Sequence, residues 1–199
     1  MPASGEHRVG ATIELAVGDL TAETTDAIVS PSNRGLSGGG LVDLAVRRAA
    51  GPELIAACQA EIRKRRGGML SPGQVVLTPG YRLPAAHVIH CVPPIYEADR
   101  STAQKNLAAC FTAALEMARV EGLGSISFPA VATGVYGYPV GEAARVSTAT
   151  VVEQLAAFAA PRLVRFVLYG PAMLDEYVGA IRDLLGARVR ADERSASAE

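Results

Sequence analysis

Short apolar runs along the chain alternate with longer stretches in which apolar residues recur every three or four positions. Short segments rich in apolar and β-branched residues and bounded by turn residues read as strands. They fall at Thr12 to Val17, Ala27 to Ser30, Gln74 to Thr78, His87 to Val92, Ser125 to Pro129 and Leu163 to Tyr169. Helical spacing fills the intervals: Val42 to Ala50, Ala103 to Glu121, Gly141 to Ala159 and Ala172 to Leu185. Gly51-Pro52 breaks the first of these helices, and Pro52 can open another that runs to about Arg66. Apolar strands alternating with amphipathic helices predict a mostly parallel sheet covered on both faces. In such sheets ligands sit beyond the carboxyl ends of the strands, so the segments that follow strands carry the functional question.

Composition narrows the picture in three ways. Hydrophobic residues make up 49% of the 199 and charged residues 20%, which is ordinary for a globular domain. The formal net charge is −1, so no bulk field draws in nucleic acid, and an anionic ligand has to be held by local geometry. The three cysteines, Cys58, Cys91 and Cys110, lie far apart with no C-x-x-C, which suggests reduced thiols and neither a disulfide frame nor a metal site. Met1 to Val9 has no apolar core of a signal peptide, and no stretch reaches the roughly 18 apolar residues of a membrane span, so a cytoplasmic protein is expected. The domain is expected over residues 1–188, with 189–199 a polar, frayed tail. His87 and His90 lie three apart on one predicted strand and face opposite sides; both read as structural, and no metal or cofactor is expected.

Three strand-following segments stand out. Ser30-Pro31-Ser32-Asn33-Arg34-Gly35-Leu36-Ser37-Gly38-Gly39-Gly40 leaves a strand and feeds a helix that begins near Leu41-Val42-Asp43. Successive glycines allow positive φ and close backbone approach, and free N–H groups with a helix dipole behind them make an anion site. A bare triple glycine is also an ordinary flexible turn. The segment lacks the G-K-[ST] of a Walker loop and does not fit G-x-G-x-x-G. The second, Phe128 to Pro139, passes through Thr133-Gly134-Val135-Tyr136-Gly137 toward another helix and could close over the far side of a diphosphate. The third is Tyr169-Gly170, where the ring could stack on a base or simply rim the core.

Taken in order, these pieces resemble the macrodomain family, of the MacroD-like hydrolase type. Gly18-Asp19-Leu20-Thr21 is similar to the family's G-D-I-T, and Asp26-Ala27-Ile28-Val29 with Asn33 to D-A-I-V-N-A-A-N. Gly38 to Gly40, Val42-Asp43 and Arg48 to Leu54 resemble G-G-G-G-V-D…R-A-A-G-P-E-L. Leu83-Pro84 with His87 to His90 resembles L-P-x-x-x-V-I-H, and Thr133 to Pro139 resembles S-T-G-V-[FY]-G-Y-P. The resemblance covers roughly Ile13 to Leu185. It implies a three-layer α/β/α sandwich around a mixed, mostly parallel sheet of about six strands, and binding of ADP-ribose.

The resemblance also implies roles. Asp19, with Leu20 beside it, would meet the adenine, Asp19 accepting from its amino group; a turn or N-cap Asp is the alternative. Tyr169 would stack on the base. Gly38, Gly39, Gly40, Leu41 and Val42, with Thr133, Gly134, Val135, Tyr136 and Gly137, would wrap the diphosphate and distal ribose. Asn33 would hold the distal ribose hydroxyls, and Asp43 would orient a water near the anomeric carbon, or simply cap a helix. The implied activity is hydrolytic removal of mono-ADP-ribose from protein carboxylates, with O-acetyl-ADP-ribose a further substrate. The alternatives are a non-catalytic reader of ADP-ribose and a hydrolase acting on ADP-ribosylated nucleic acid, the latter kept open by Arg63-Lys64-Arg65-Arg66. Four residues depart from the pattern: Ser30 replaces the first Asn, Leu41 the fourth Gly, Leu44 a Gly and Arg47 a His. Asp43 and Arg47 are spaced i, i+4 and could pair on a helix, which would leave Asp43 a weaker proton acceptor.

Overall fold

The computed structural model describes residues 10–65, 67–158, 160–185 and 191–192. Six strands are β1 (Thr12–Val17), β2 (Ala27–Pro31), β3 (Val75–Pro79), β4 (His87–Cys91), β5 (Ser125–Phe128) and β6 (Leu163–Leu168). Five helices are α1 (Leu41–Ala50), α2 (Pro52–Arg63), α3 (Ala103–Val120), α4 (Val140–Phe158) and α5 (Pro171–Leu185). The sheet order is β3-β4-β2-β5-β6-β1, and only the β3–β4 pair is antiparallel. Two residues of the expected tail, Ala191–Asp192, pair with β1 as a short seventh strand; the rest of 189–199 lies outside the described residues.

Alternation along the strands builds two cores, one on each face. Ala27 and Val29 of β2, Ile89 and Cys91 of β4, and Val164, Phe166 and Leu168 of β6 point to one side. There they meet Leu107 and Phe111 of α3, Val151 of α4 and Tyr177 of α5. Phe111, Phe128, Phe166 and Tyr177 form a chain of tilted rings, with successive centroids 4.8 to 5.9 Å apart. The intervening residues Ile28, Val88 and Val167 face the other side, against Val46 and Ala50 of α1 and Leu54 and Cys58 of α2. The result is the expected three-layer sandwich.

Most boundaries lie within a residue or two of the sequence expectation. The exception is α2, which stops at Arg63, not near Arg66; Gly67 and Gly68 follow at φ +85° and +62°, a conformation no helix continues. Because β2, β5, β6 and β1 run parallel, their carboxyl ends open on one edge of the sheet. No helix among the described residues is long and apolar enough to cross a membrane.

Candidate ligand-binding site at the strand ends

After β2 the chain turns sharply at Asn33. Its N–H donates to the Gly38 carbonyl (3.0 Å), and its Oδ1 accepts the Ser37 N–H (2.9 Å) while Nδ2 donates to Ser37 Oγ (3.0 Å). Leu36 sits in the left-handed region (φ 47°) with its side chain buried. The three glycines that follow have separate tasks. Only Gly38 has positive φ (155°), and a Cβ there would meet nothing within 4 Å. Gly39 packs on the end of β2, where a Cβ would lie 2.5 Å from the Pro31 carbonyl oxygen and 3.0 Å from Asp43 Cβ. Gly40 (φ −78°) is the N-cap of α1, offers no side-chain cap, and faces the second loop: a Cβ on it would lie 3.3 Å from Val135 Cγ2. The sequence expectation of positive φ along the triple glycine therefore holds at Gly38 alone; close approach to other parts of the protein explains the other two.

The first-turn N–H groups of α1, at Leu41, Val42 and Asp43, have no acceptor within the helix, and the dipole adds positive potential there. The second loop, after β5, closes on itself. Tyr138 N–H reaches the Ala132 carbonyl (3.0 Å), Gly137 N–H the Gly134 carbonyl (2.9 Å), and Thr133 Oγ1 the Ala130 carbonyl (2.9 Å). Among the described residues, the N–H groups of Gly134, Val135 and Tyr136 meet no protein acceptor. Two sets of open N–H groups thus lie on loops that approach each other at Gly40 and Val135, too closely for a Cβ on Gly40 to fit freely. The Tyr136 hydroxyl donates to the Ser32 carbonyl (3.1 Å) and ties the loops together. Burial, then the nearby thiol of Cys91 and the Asp43 carboxylate, push this hydroxyl above its ordinary range, so it remains a donor at neutral pH.

At the other end of the cleft, β1 and β6 are neighbours in register, with Val17 opposite Leu168. Asp19 and Tyr169 therefore leave the same edge of the sheet. Tyr169 is 93% exposed, its ring open to solvent. Asp19 caps a short 3-10 turn, Leu20–Ala22, its Oδ1 accepting both the N–H and the hydroxyl of Thr21 (2.8 Å each). Leu20 buries its side chain in the core beside α1, leaving only its backbone for a ligand. Leu41 (82% exposed), Leu44 (52%) and Val135 (75%) give the mouth of the cleft an apolar rim.

Beneath the first loop lies a closed polar cluster. The inward stripe of α1 is Asp43, Val46, Arg47 and Ala50, so two charged residues share the face that two apolar ones seal. Asp43 has no exposed surface. Its Oδ1 accepts the hydroxyls of Ser30 (3.0 Å) and Ser32 (2.6 Å), and its Oδ2 accepts Arg47 Nε (2.6 Å). Arg47 Nη2 also donates to the Leu36 carbonyl (2.9 Å). His90, opposite Ser30 in the β2–β4 register, completes the cluster with Ser32 Oγ at 3.4 Å, Thr78 Oγ1 at 3.0 Å and Cys58 Sγ at 3.6 Å. Burial pulls its pKa down to about 4, against the pull of the Asp43 charge and with that of Arg47, so the ring is neutral near pH 7. The Cys58 thiol is pushed up, chiefly by burial, and is not a thiolate nucleophile at neutral pH. Among the described residues no group of three His, Cys, Asp or Glu could hold a metal ion.

The model of the Macro domain matches residues 29–147, more than half of the chain. The chain belongs to the Macro domain family. An O-acetyl-ADP-ribose deacetylase of Citrobacter rodentium is 42% identical over 157 residues, covering 79% of this chain and 88% of that protein. The Oceanobacillus iheyensis macrodomain solved with ADP is 42% identical, with a TM-score of 0.84 over 88% of this chain and 93% of that one. A Trypanosoma brucei macrodomain in complex with ADP-ribose is 31% identical, with a TM-score of 0.78 over 90% of this chain and 73% of that one.

In this macrodomain two of the unusual residues are parts of one arrangement, since Ser30 and Arg47 both bind Asp43. The pairing expected from the i, i+4 spacing is present. The expectation that Asp43 faces a water meets a carboxylate enclosed by three protein donors. Asn33 likewise spends its amide on Ser37 in this structure. Ser32, His90, Thr78 and the Tyr136 hydroxyl were not singled out for these roles from the sequence. Ser32 could have been, since it follows Ser30 by two, the spacing that puts both side chains on one side of an extended segment. Two recesses in the surface lie away from the strand ends. One, of about 200 Å³, is between α3 and α4 beside Arg119 and Phe158; the other, of about 280 Å³, is between α4 and α5 beside Arg145 and Glu176.

Proposed function

We propose that this macrodomain binds ADP-ribose across the two loops and hydrolyses esters at its distal ribose. The observation that carries the reading is the meeting of two loops whose N–H groups at 134–136 and at the start of α1 are open, since a diphosphate needs convergent donors. Tyr169 supplies an open ring for adenine, and Asp19 has Oδ2 left to accept from the exocyclic amino group. Asn33 presents Nδ2 to the ribose hydroxyls by exchanging Ser37 Oγ for them, while Oδ1 keeps the turn. O-acetyl-ADP-ribose is the first substrate to test, in keeping with the relatives so named. Carboxylate-linked mono-ADP-ribose on proteins presents the same ester chemistry.

In deacetylation a water oxygen bonds to the acyl carbon, the acyl–ribose oxygen bond breaks, and the ribose oxygen takes a proton. Because both Asp43 oxygens hold protein donors, the water is assigned to the ligand's own phosphate, and Asp43 to fixing the loop around it. The same enclosure favours a second reading, a reader that binds ADP-ribose without turnover. Calorimetry and product release decide. ADP-ribose should bind much more tightly than AMP, and acetate should be released from O-acetyl-ADP-ribose, with free ADP-ribose from carboxylate-linked protein. Equal binding of AMP and ADP-ribose would remove the diphosphate site. Tight binding with no release from either substrate would leave the reader.

A further inference from the structure

We propose that Arg47 is a positioning residue for the ligand loop, a strut between the apex of the loop and the helix whose N-terminus completes the site. The loop from Asn33 to Gly40 is held at its base by the bridge between Ser32 and Gly39 and on its outer side by the paired Arg34 and Leu70 backbone groups. Its apex, Leu36, carries a strained left-handed backbone, and its carbonyl is taken by Arg47 Nη2 (2.9 Å). The same guanidinium holds Asp43 through Nε (2.6 Å), one turn earlier on α1. A planar side chain with several donors in fixed geometry can bridge two acceptors at once, which a shorter or single-donor residue cannot. Arg47 is only 9% exposed, too enclosed to meet the ligand itself, so its influence passes through Leu36 and Asp43. Arg47 therefore ties the apex of the loop at Leu36 to Asp43 in the first turn of α1.

The inference rests on the proposed binding of ADP-ribose, and two variants separate the strut from simple charge balance. Arg47→Met removes both bonds and leaves the Asp43 charge buried without its partner, which is strongly destabilising. Asp43→Asn together with Arg47→Met removes that charge as well. The single variant should melt lower and bind ADP-ribose roughly tenfold more weakly or worse, the scale of a lost buried hydrogen bond or two. The double variant should regain most of the melting temperature and none of the affinity, because the Leu36 tether is still missing. With O-acetyl-ADP-ribose, KM should rise while kcat stays within about twofold, the signature of lost ground-state and transition-state binding alike. Hydrogen exchange gives an answer free of any ligand: the Leu36 and Ser37 amides, both bonded within the turn, should exchange faster in the two variants. Unchanged exchange at those amides, or full recovery of affinity in the double variant, overturns the strut. Failure of the wild type to bind ADP-ribose would instead remove the proposed function, while the exchange result would still judge Arg47.

Discussion

Glycine-to-alanine substitution in the two facing loops should split stability from binding in opposite ways. Gly39 has an ordinary φ, so Ala there meets no intrinsic backbone penalty; its added methyl would lie 2.5 Å from the Pro31 carbonyl oxygen, 3.2 Å from Ser32 Cα and 3.0 Å from Asp43 Cβ. Two of these three neighbours are backbone atoms at the end of a central strand, and none can rotate away. Overpacking of this kind costs about 1–3 kcal/mol. For a protein of this size each kcal/mol shifts Tm by roughly 2–4 °C, so Gly39→Ala should melt about 2–12 °C lower. Gly134 is the counterpart. A Cβ there meets nothing within 4 Å and φ is again ordinary, so Gly134→Ala should change stability by no more than about 0.5 kcal/mol. Its methyl enters the space beside the open N–H groups, so ADP-ribose affinity should fall by several-fold or more. Thermal melts without ligand, followed by calorimetry with ADP-ribose, measure both quantities on both variants. A Gly39→Ala protein that melts with the wild type would refute the packing argument. A Gly134→Ala protein that binds normally would place the diphosphate elsewhere.

Two further outcomes follow from the cleft edge and the buried cluster. Asp19→Asn keeps the Oδ1 cap on Thr21 but loses the charge; it should weaken ADP-ribose roughly tenfold and shrink the preference over the inosine analogue, and unchanged discrimination would make Asp19 a cap alone. His90 has its pKa depressed from 6.5 to about 4, so the unfolded chain binds the extra proton first. Its contribution to stability is present above pH 6.5 and is lost as pH falls toward 4, and His90→Gln should flatten the fall of Tm across that window; an equally steep fall in the variant would assign the acid sensitivity to other groups.

The layers of this fold were legible because the evidence for them is local. Apolar runs such as Ala27–Val29 and Phe166–Leu168 mark buried strands, and the Gly51-Pro52 break separates α1 from α2 without reference to anything distant. The loops could be found for the same reason: glycines after a strand and before a helix announce themselves. What stayed hidden depends on register. Ser30 lies opposite His90 only because β2 and β4 pair in one particular alignment, and nothing near either residue encodes it. The Tyr136–Ser32 link joins residues 104 positions apart. The division of labour within the triple glycine needed coordinates too, since what Gly39 must avoid is a carbonyl eight residues upstream. Asp43 and Arg47 lie between these cases: helical spacing foretold the pair, but not that Ser30 and Ser32 would close the remaining side of the carboxylate.

The Tyr136 hydroxyl on the Ser32 carbonyl bears on the thermodynamics of capture. Two independent loops would each surrender conformational entropy when a nucleotide settled between them. Tied through this phenol, they have surrendered much of it during folding, so more of the interaction free energy is left to appear as affinity. The same preorganisation has a kinetic side. Tyr136→Phe would remove the tie and leave the two loops freer to move apart around a diphosphate. Such a protein would take up its ligand faster and release it faster still, with a larger unfavourable entropy of binding.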